Sequence, residues 1–229
     1  MVSQHPSGSP SPREAAGSPA YVRGRRPTAD ELQQARGRVI ADLLPDPLRL
    51  LLVGINPSLW SGAVDAHYAR PGNRFWPALH RAGLVPRVMD PSAGLADSDR
   101  VALCDRGIGM TNLVARATAR ADEVSPEELR EGLDRLASVV QDRRPTVVAF
   151  AGITTYRIAF GVKQVKQVKQ IKQVERGRQP EPWHGAIVHV VPNPSGLNAH
   201  DTVDSIALAM RAAGADAGLV PPMGGHWGR

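Results

Sequence analysis

Asn56 stands in Gly54-Ile55-Asn56-Pro57-Ser58; Tyr68 follows twelve residues later, and Asn73-Arg74-Phe75-Trp76 begins seventeen residues after Asn56. A side-chain amide can hold a water through its carbonyl oxygen, yet it is too weak a base to deprotonate that water strongly. The chemistry on offer is slow hydrolysis of a bond with a good leaving group. Gly54 has no side chain, so the backbone of Gly54, Ile55 and Asn56 can bring amide donors close to developing negative charge. Tyr68 adds a stacking face and a hydroxyl. A second stretch, Asn193-Pro194-Ser195-Gly196-Leu197-Asn198, sets an apolar Leu197 on a loop constrained by proline and glycine. Such a side chain is wasted in solvent but suited to slipping between stacked rings.

Each stretch follows a short apolar run, Leu50 to Val53 and Ile187 to Val191. Both therefore read as loops at the carboxyl ends of buried strands, where open α/β sheets place their ligand sites. Between them the pattern alternates. Leu32, Ala35, Val39, Ile40, Leu43 and Leu44 recur at helical spacing after Asp30-Glu31 and predict a first helix that ends before Pro45. A helix is expected from Asn73, as a possible cap, to about Ala82, and a short irregular or strand segment over Gly107 to Leu113. Ser125-Pro126-Glu127-Glu128 is a capping box with proline at the first helical position, followed by Leu129, Leu133, Leu136, Val139 and Val140 on one face. Thr146 to Ala151 predicts another buried strand, with helices over about Thr154 to Phe160 and Asp201 to Ala213. The fold expected is α/β, a three-layer α/β/α sandwich around a mostly parallel sheet.

The two motifs, in this order and at this spacing, resemble those of the mismatch-specific uracil-DNA glycosylases, bacterial relatives of thymine-DNA glycosylase, over roughly residues 45–212. The resemblance implies an enzyme that removes uracil from G·U mismatches, with ethenocytosine or thymine as further substrates. It needs no cofactor and no metal. It implies that Asn56 positions the water, that Gly54, Ile55, Ser61 and Tyr68 form the base pocket, and that Tyr68, where the family carries an aromatic, stacks on the base. Ser61 falls where the family has a serine near the pyrimidine 5-position. Asn112 falls where relatives carry a polar or charged pocket residue, and assists water or base binding; a hydrogen-bonded turn is its bland alternative. A base inside a duplex must be rotated out, so the resemblance makes Leu197 a wedge and gives Gly196 and Asn198 contacts to the widowed guanine. The loop over residues 58–66 departs from the family, with Ser58 where glycine is usual. Asp65 and His67 flank the aromatic ring and read as packing or phosphate contacts rather than as an acid/base pair.

The net charge of +6 is unevenly placed: residues 1–28 carry +3, residues 162–179 carry +5, and the remainder −2. The body is not a uniformly basic nucleic-acid binder. Residues 1–27, rich in Ser, Pro, Gly and Arg, read as a disordered tail. One domain is expected over 28–214, interrupted by a low-complexity basic insertion at 162–179 and followed by a flexible tail at 215–229. In the insertion Val-Lys-Gln repeats with a three-residue period, so its apolar positions drift around a helix instead of forming a stripe. Lys163, Lys166, Lys169 and Lys172 there, and His200 beside the second loop, are possible phosphate contacts. Asp201 is the expected cap of the last helix.

The single cysteine, Cys104, excludes an intramolecular disulfide and a four-cysteine metal site held by one chain. Apolar runs are too short to span a bilayer, and the N-terminus lacks a secretory core. A monomeric cytoplasmic protein acting on double-stranded DNA is expected, with no membrane partner. Two other readings fit the same residues: a damage-recognition protein that flips a base without cutting, and a hydrolase of free nucleosides.

Overall fold

The computed structural model describes residues 21–161, 174–196 and 201–222. At its centre lies a five-stranded sheet of β1 (Leu50–Gly54), β2 (Ile108–Asn112), β3 (Val147–Ala151), β4 (Gly177–Arg178) and β5 (Ile187–Val191), in the spatial order β2-β1-β3-β5-β4. All neighbours are parallel except β4, a two-residue strand that runs antiparallel to β5 at the edge. Every residue of β1, β2 and β3 is buried, which is why β1 and β3 read as apolar runs rather than as alternations.

Among the described residues seven α-helices surround the sheet: α1 (Ala29–Gln34), α2 (Leu59–Val64), α3 (Phe75–Arg81), α4 (Asp97–Asp105), α5 (Pro126–Arg143), α6 (Ile153–Ala159) and α7 (Val203–Asp216). Alternate strand residues part to opposite faces. Leu50, Leu52, Val147 and Ala149 pack with Val64, Phe75, Leu79, Leu103, Ile206 and Met210 of α2, α3, α4 and α7. Leu51, Val53, Val148 and Phe150 pack with Leu136, Val140 and Ala159 of α5 and α6. This is the three-layer α/β/α sandwich expected. The predicted box at Ser125 is present: Ser125 Oγ accepts from Glu128 N at 3.2 Å, and Ser125 N donates to Glu128 Oε2 at 2.9 Å.

Four expectations are corrected. The first helix does not reach Leu44. It is α1 alone, begun by an unforeseen capping box of Thr28 and Glu31 and followed by Gly37 at φ +78°. Beyond it, Leu43 exchanges two 2.9 Å backbone hydrogen bonds with Met110 and covers the edge of β2, which sets the chain in an extended path. The departing stretch after Ser58 is not a loop but α2, with Ser58 Oγ accepting from Ser61 N at 3.2 Å. The last helix is capped by Thr202, whose hydroxyl accepts from Ser205 N at 3.1 Å, while Asp201 lies buried against Arg176. Finally, residues 21–27, read as tail, are pinned to the body: Tyr21 Oη donates to Val39 O at 2.7 Å and Val22 N to Ala63 O at 2.9 Å.

Candidate active site

The chain leaves β1 across the face of α2, α3 and α4 to reach β2, and leaves β3 across the opposite face through α6. At such a reversal the carboxyl ends of neighbouring strands open a crevice. A cleft of about 330 Å³ lies there, lined at and just beyond the end of β1 by Gly54, Ile55 and Asn56, from β2 by Asn112, from β3 by Ala151 and from the loop after β5 by Asn193 to Ser195. The two sequence motifs meet across it although β1 and β5 are not neighbours. Arg74 N donates to Pro194 O at 2.9 Å. A Cβ on Gly196 would sit 2.7 Å from Gly72 O, so that approach requires glycine. Each motif is also tied within itself. Asn73 Oδ1 accepts from Phe75 N at 2.9 Å, and Asn193 Oδ1 from Ser195 N at 3.0 Å.

Asn56 is half-buried, and its amide nitrogen is held twice, by Pro57 O at 3.0 Å and by Thr118 Oγ1 at 2.6 Å. The Thr118 hydroxyl spends its one proton on Arg120 O at 2.6 Å, so toward Asn56 it can only accept. Both partners therefore demand the NH2 end, and Oδ1 remains as the acceptor that Asn56 offers to the cleft. Thr118, buried in the loop after β2, is a site residue that the sequence reading did not single out. Arg70 and Arg120 also line the cleft, the Arg120 guanidinium being paired with Asp122.

Tyr68 stacks on Phe75 with centroids 3.8 Å apart and planes at 9°. Its φ of +54° lies in the left-handed region, which a bulky residue adopts only where its surroundings hold it there. The hydroxyl is buried with no hydrogen-bond partner, and burial raises its pKa, so it stays protonated. Gly54 forms the floor beside it: a Cβ there would collide with Asn112 Oδ1 and come within 3.2 Å of the Tyr68 hydroxyl. Ser61, on the first turn of α2, is buried in the lining, where its hydroxyl accepts from Ala69 N at 3.3 Å.

His67 is buried, which removes it from any phosphate contact. Its Nε2 lies 3.1 Å from Ala41 O and its Nδ1 3.3 Å from Asn112 Nδ2. Burial is the largest influence on its pKa and lowers it, so the ring is neutral near pH 7. Asp65 is not among the residues that line the cleft. It ends α2 at φ +51° and meets Arg23 Nη2 at 3.3 Å and Ala41 N at 3.4 Å. Asn112 is buried in the cleft wall as a side-chain partner of His67, not as a turn residue. Leu197, Asn198, His200 and Lys163, Lys166, Lys169 and Lys172 lie outside the described residues. Among the described residues no group of three or more His, Cys, Asp or Glu could hold a metal ion.

A neutral amide fixed by two acceptors, an aromatic ring beside a small floor and a cleft at the sheet's reversal together suit a flat, planar group. Residues 41–212 match the Uracil DNA glycosylase superfamily. The chain belongs to that superfamily, whose members are DNA glycosylases. A solved structure to which it is similar is a solution NMR structure from Methanosarcina acetivorans, provisionally described as a uracil DNA glycosylase. The two are 18% identical, the match covers 77% of this chain and 96% of that one, and the TM-score is 0.47.

Proposed function

We propose that this chain is a monofunctional, mismatch-specific uracil-DNA glycosylase that flips uracil out of G·U pairs and hydrolyses its N-glycosidic bond to start base-excision repair. The observation that carries this reading is the clamp on Asn56, which turns a weakly basic oxygen toward the cleft and so favours holding a water over deprotonating it. The water held on Oδ1 attacks C1′ as the C1′–N1 bond breaks. The bonding pair leaves on the uracil anion, and the water's proton passes to solvent. Backbone amides near Gly54 and Ile55 face the departing charge, Tyr68 stacks on the base and Ser61 stands near its 5-position. No lysine nucleophile lies in the Gly54 to Ser58 loop, so the abasic strand stays intact.

In the same reading Leu197 fills the space left by the rotated nucleotide, and Gly196 and Asn198 contact the widowed guanine. Lys163, Lys166, Lys169, Lys172 and His200 supply phosphate contacts whose loss lowers the salt dependence of binding. The protein acts as a monomer in the cytoplasm, on double-stranded DNA. The test is single-turnover excision from duplexes that differ at one pair, G·U, A·U, G·T or ethenocytosine opposite G. Uracil release from G·U, falling about 10²- to 10³-fold in Asn56→Ala, is expected. Leu197→Ala should cost far more on duplex than on single-stranded DNA. Tight G·U binding by wild type without an abasic product would replace the enzyme with a damage-recognition protein.

A further inference from the structure

We infer that His67 is a positioning residue that sets the polarity of the base pocket, by fixing which end of the Asn112 amide faces the cleft; this rests on the glycosylase reading above. Ala41 O can only accept, so His67 Nε2 carries the ring's proton. Nδ1 of the neutral ring is then a lone pair, and the Asn112 atom 3.3 Å from it must be a donor, Nδ2. Oδ1 is left on the other side, over Gly54, where a Cβ would strike it. The relay thus runs from a backbone carbonyl through one imidazole to an acceptor in the cleft floor, beside the buried and unpartnered Tyr68 hydroxyl.

This polarity chooses between pyrimidine edges. Uracil presents its N3–H donor next to the O4 acceptor; cytosine presents an N3 acceptor next to an amino donor. A ring held in one plane by stacking on Tyr68 meets the amide in one orientation. An amide locked with its oxygen inward then matches the first edge and sets like against like on the second. Were His67 replaced by a group that accepts nothing, the amide could turn over and the distinction would be lost. The charged groups facing His67 are Asp42 from the chain before β1, Asp65 from the end of α2 and Arg100 from α4. Asp42 is in turn engaged by Arg135 of α5 at 2.5 Å and by the Thr111 hydroxyl at 2.7 Å. Asn112, from β2, is the neutral partner that completes the surroundings.

The experiment is equilibrium binding to duplexes carrying 2′-fluoroarabino-uracil or 2′-fluoroarabino-cytosine opposite guanine, whose fluorine slows glycosidic cleavage. Wild type should favour uracil by about 10- to 100-fold, the range set by leaving a buried acceptor facing an acceptor, and His67→Phe should narrow this to about threefold or less. His67→Asn, whose side-chain oxygen can accept from Asn112, should restore much of the preference; a merely space-filling role would be met better by Phe. The ¹⁵N spectrum of the wild-type ring decides the point even if the Phe variant does not fold, and should show the proton on Nε2 with Nδ1 unprotonated. A full uracil preference in His67→Phe, or a proton on Nδ1, would overturn the inference and leave the glycosylase reading standing. Wild type that neither binds the uracil duplex nor releases uracil from G·U would sink that reading, and this inference with it.

Discussion

Two asparagines stand at the ends of adjacent strands, and their surroundings differ in one respect that matters. Asn56 lies two residues past Gly54 on β1, and Asn112 is the register partner of Gly54 on β2. Each is held through its amide nitrogen and keeps its oxygen for the cleft. Asn56 is clamped by a hydroxyl and a carbonyl, neither of which titrates near neutral pH. Asn112 is clamped by an imidazole. The group assigned to water is therefore fixed at any pH at which the fold survives, whereas the group assigned to the base is tied to a titratable ring. In the proposed reading, reaction and recognition therefore rest on supports of different chemistry.

The widest break in that comparison comes from Thr118. Thr118→Val removes the acceptor that turns the Asn56 amide while nearly preserving volume. We expect single-turnover excision from G·U to fall about 10- to 100-fold, the cost of a misaimed reactive group, with little change in duplex affinity. Thr118→Ser keeps the hydroxyl and should recover most of the rate. Equal losses in Val and Ser would show that the methyl group, not the hydrogen bond, is what Asn56 needs.

Acidification probes the other support. The pKa of His67 is lowered in the fold, chiefly by burial, from an ordinary value of 6.5. Below about that pH the unfolded chain binds a proton that the folded ring resists, so stability falls as pH falls. His189, also buried, acts in the same direction through its own lowered pKa. The carboxylates of Glu31 and Glu128, held at about 2, add their losses only further down, below the ordinary 4.5. Melting temperature followed from pH 7 to pH 5 should thus decline in wild type and decline less in His67→Asn. Parallel profiles would mean that His67 is not the resisting ring.

How much of this was legible in the sequence depends on how far a contact reaches along the chain. The strands β1 and β5 and the helix α5 are written locally, in apolar runs and in a Ser125–Glu128 box. The meeting of the two loops could be expected because both follow buried strands. Failures occurred where a distant partner decides the geometry. Leu43 keeps helical spacing but gives its backbone to Met110. The Asn56 clamp comes from Thr118, 62 residues on, and the Asn112 clamp from His67, 45 residues back. Four of the five described arginines of the two basic appendages tell the same story. Arg23, Arg25, Arg176 and Arg178 pair with Asp65, Glu31, Asp201 and Asp216, so charge that reads as free for DNA is partly spent on the body.

The smallest effect sharpens the comparison from Asn56's own side. Ser58 is two residues beyond Asn56, in the departing stretch, and it caps α2 through Ser61 N at 3.2 Å. This places a stabilising hydrogen bond inside the motif to which the proposed chemistry is assigned, and α2 leads on to His67 and Tyr68. Ser58→Ala should cost about 1 kcal/mol, whereas Ser58→Gly, the residue usual in the resembling family, should cost only a few tenths. For a chain of this size that is a fall in melting temperature of about 2–4 °C for alanine and little for glycine. The ordering matters more than the values, because glycine exposes the helix's first amides to water and alanine shields them. A Ser58→Ala variant that melts with wild type would mean that α2 is held by its buried Ala63 and Val64 alone, and that the serine's hydroxyl serves the cleft through Ser61 instead.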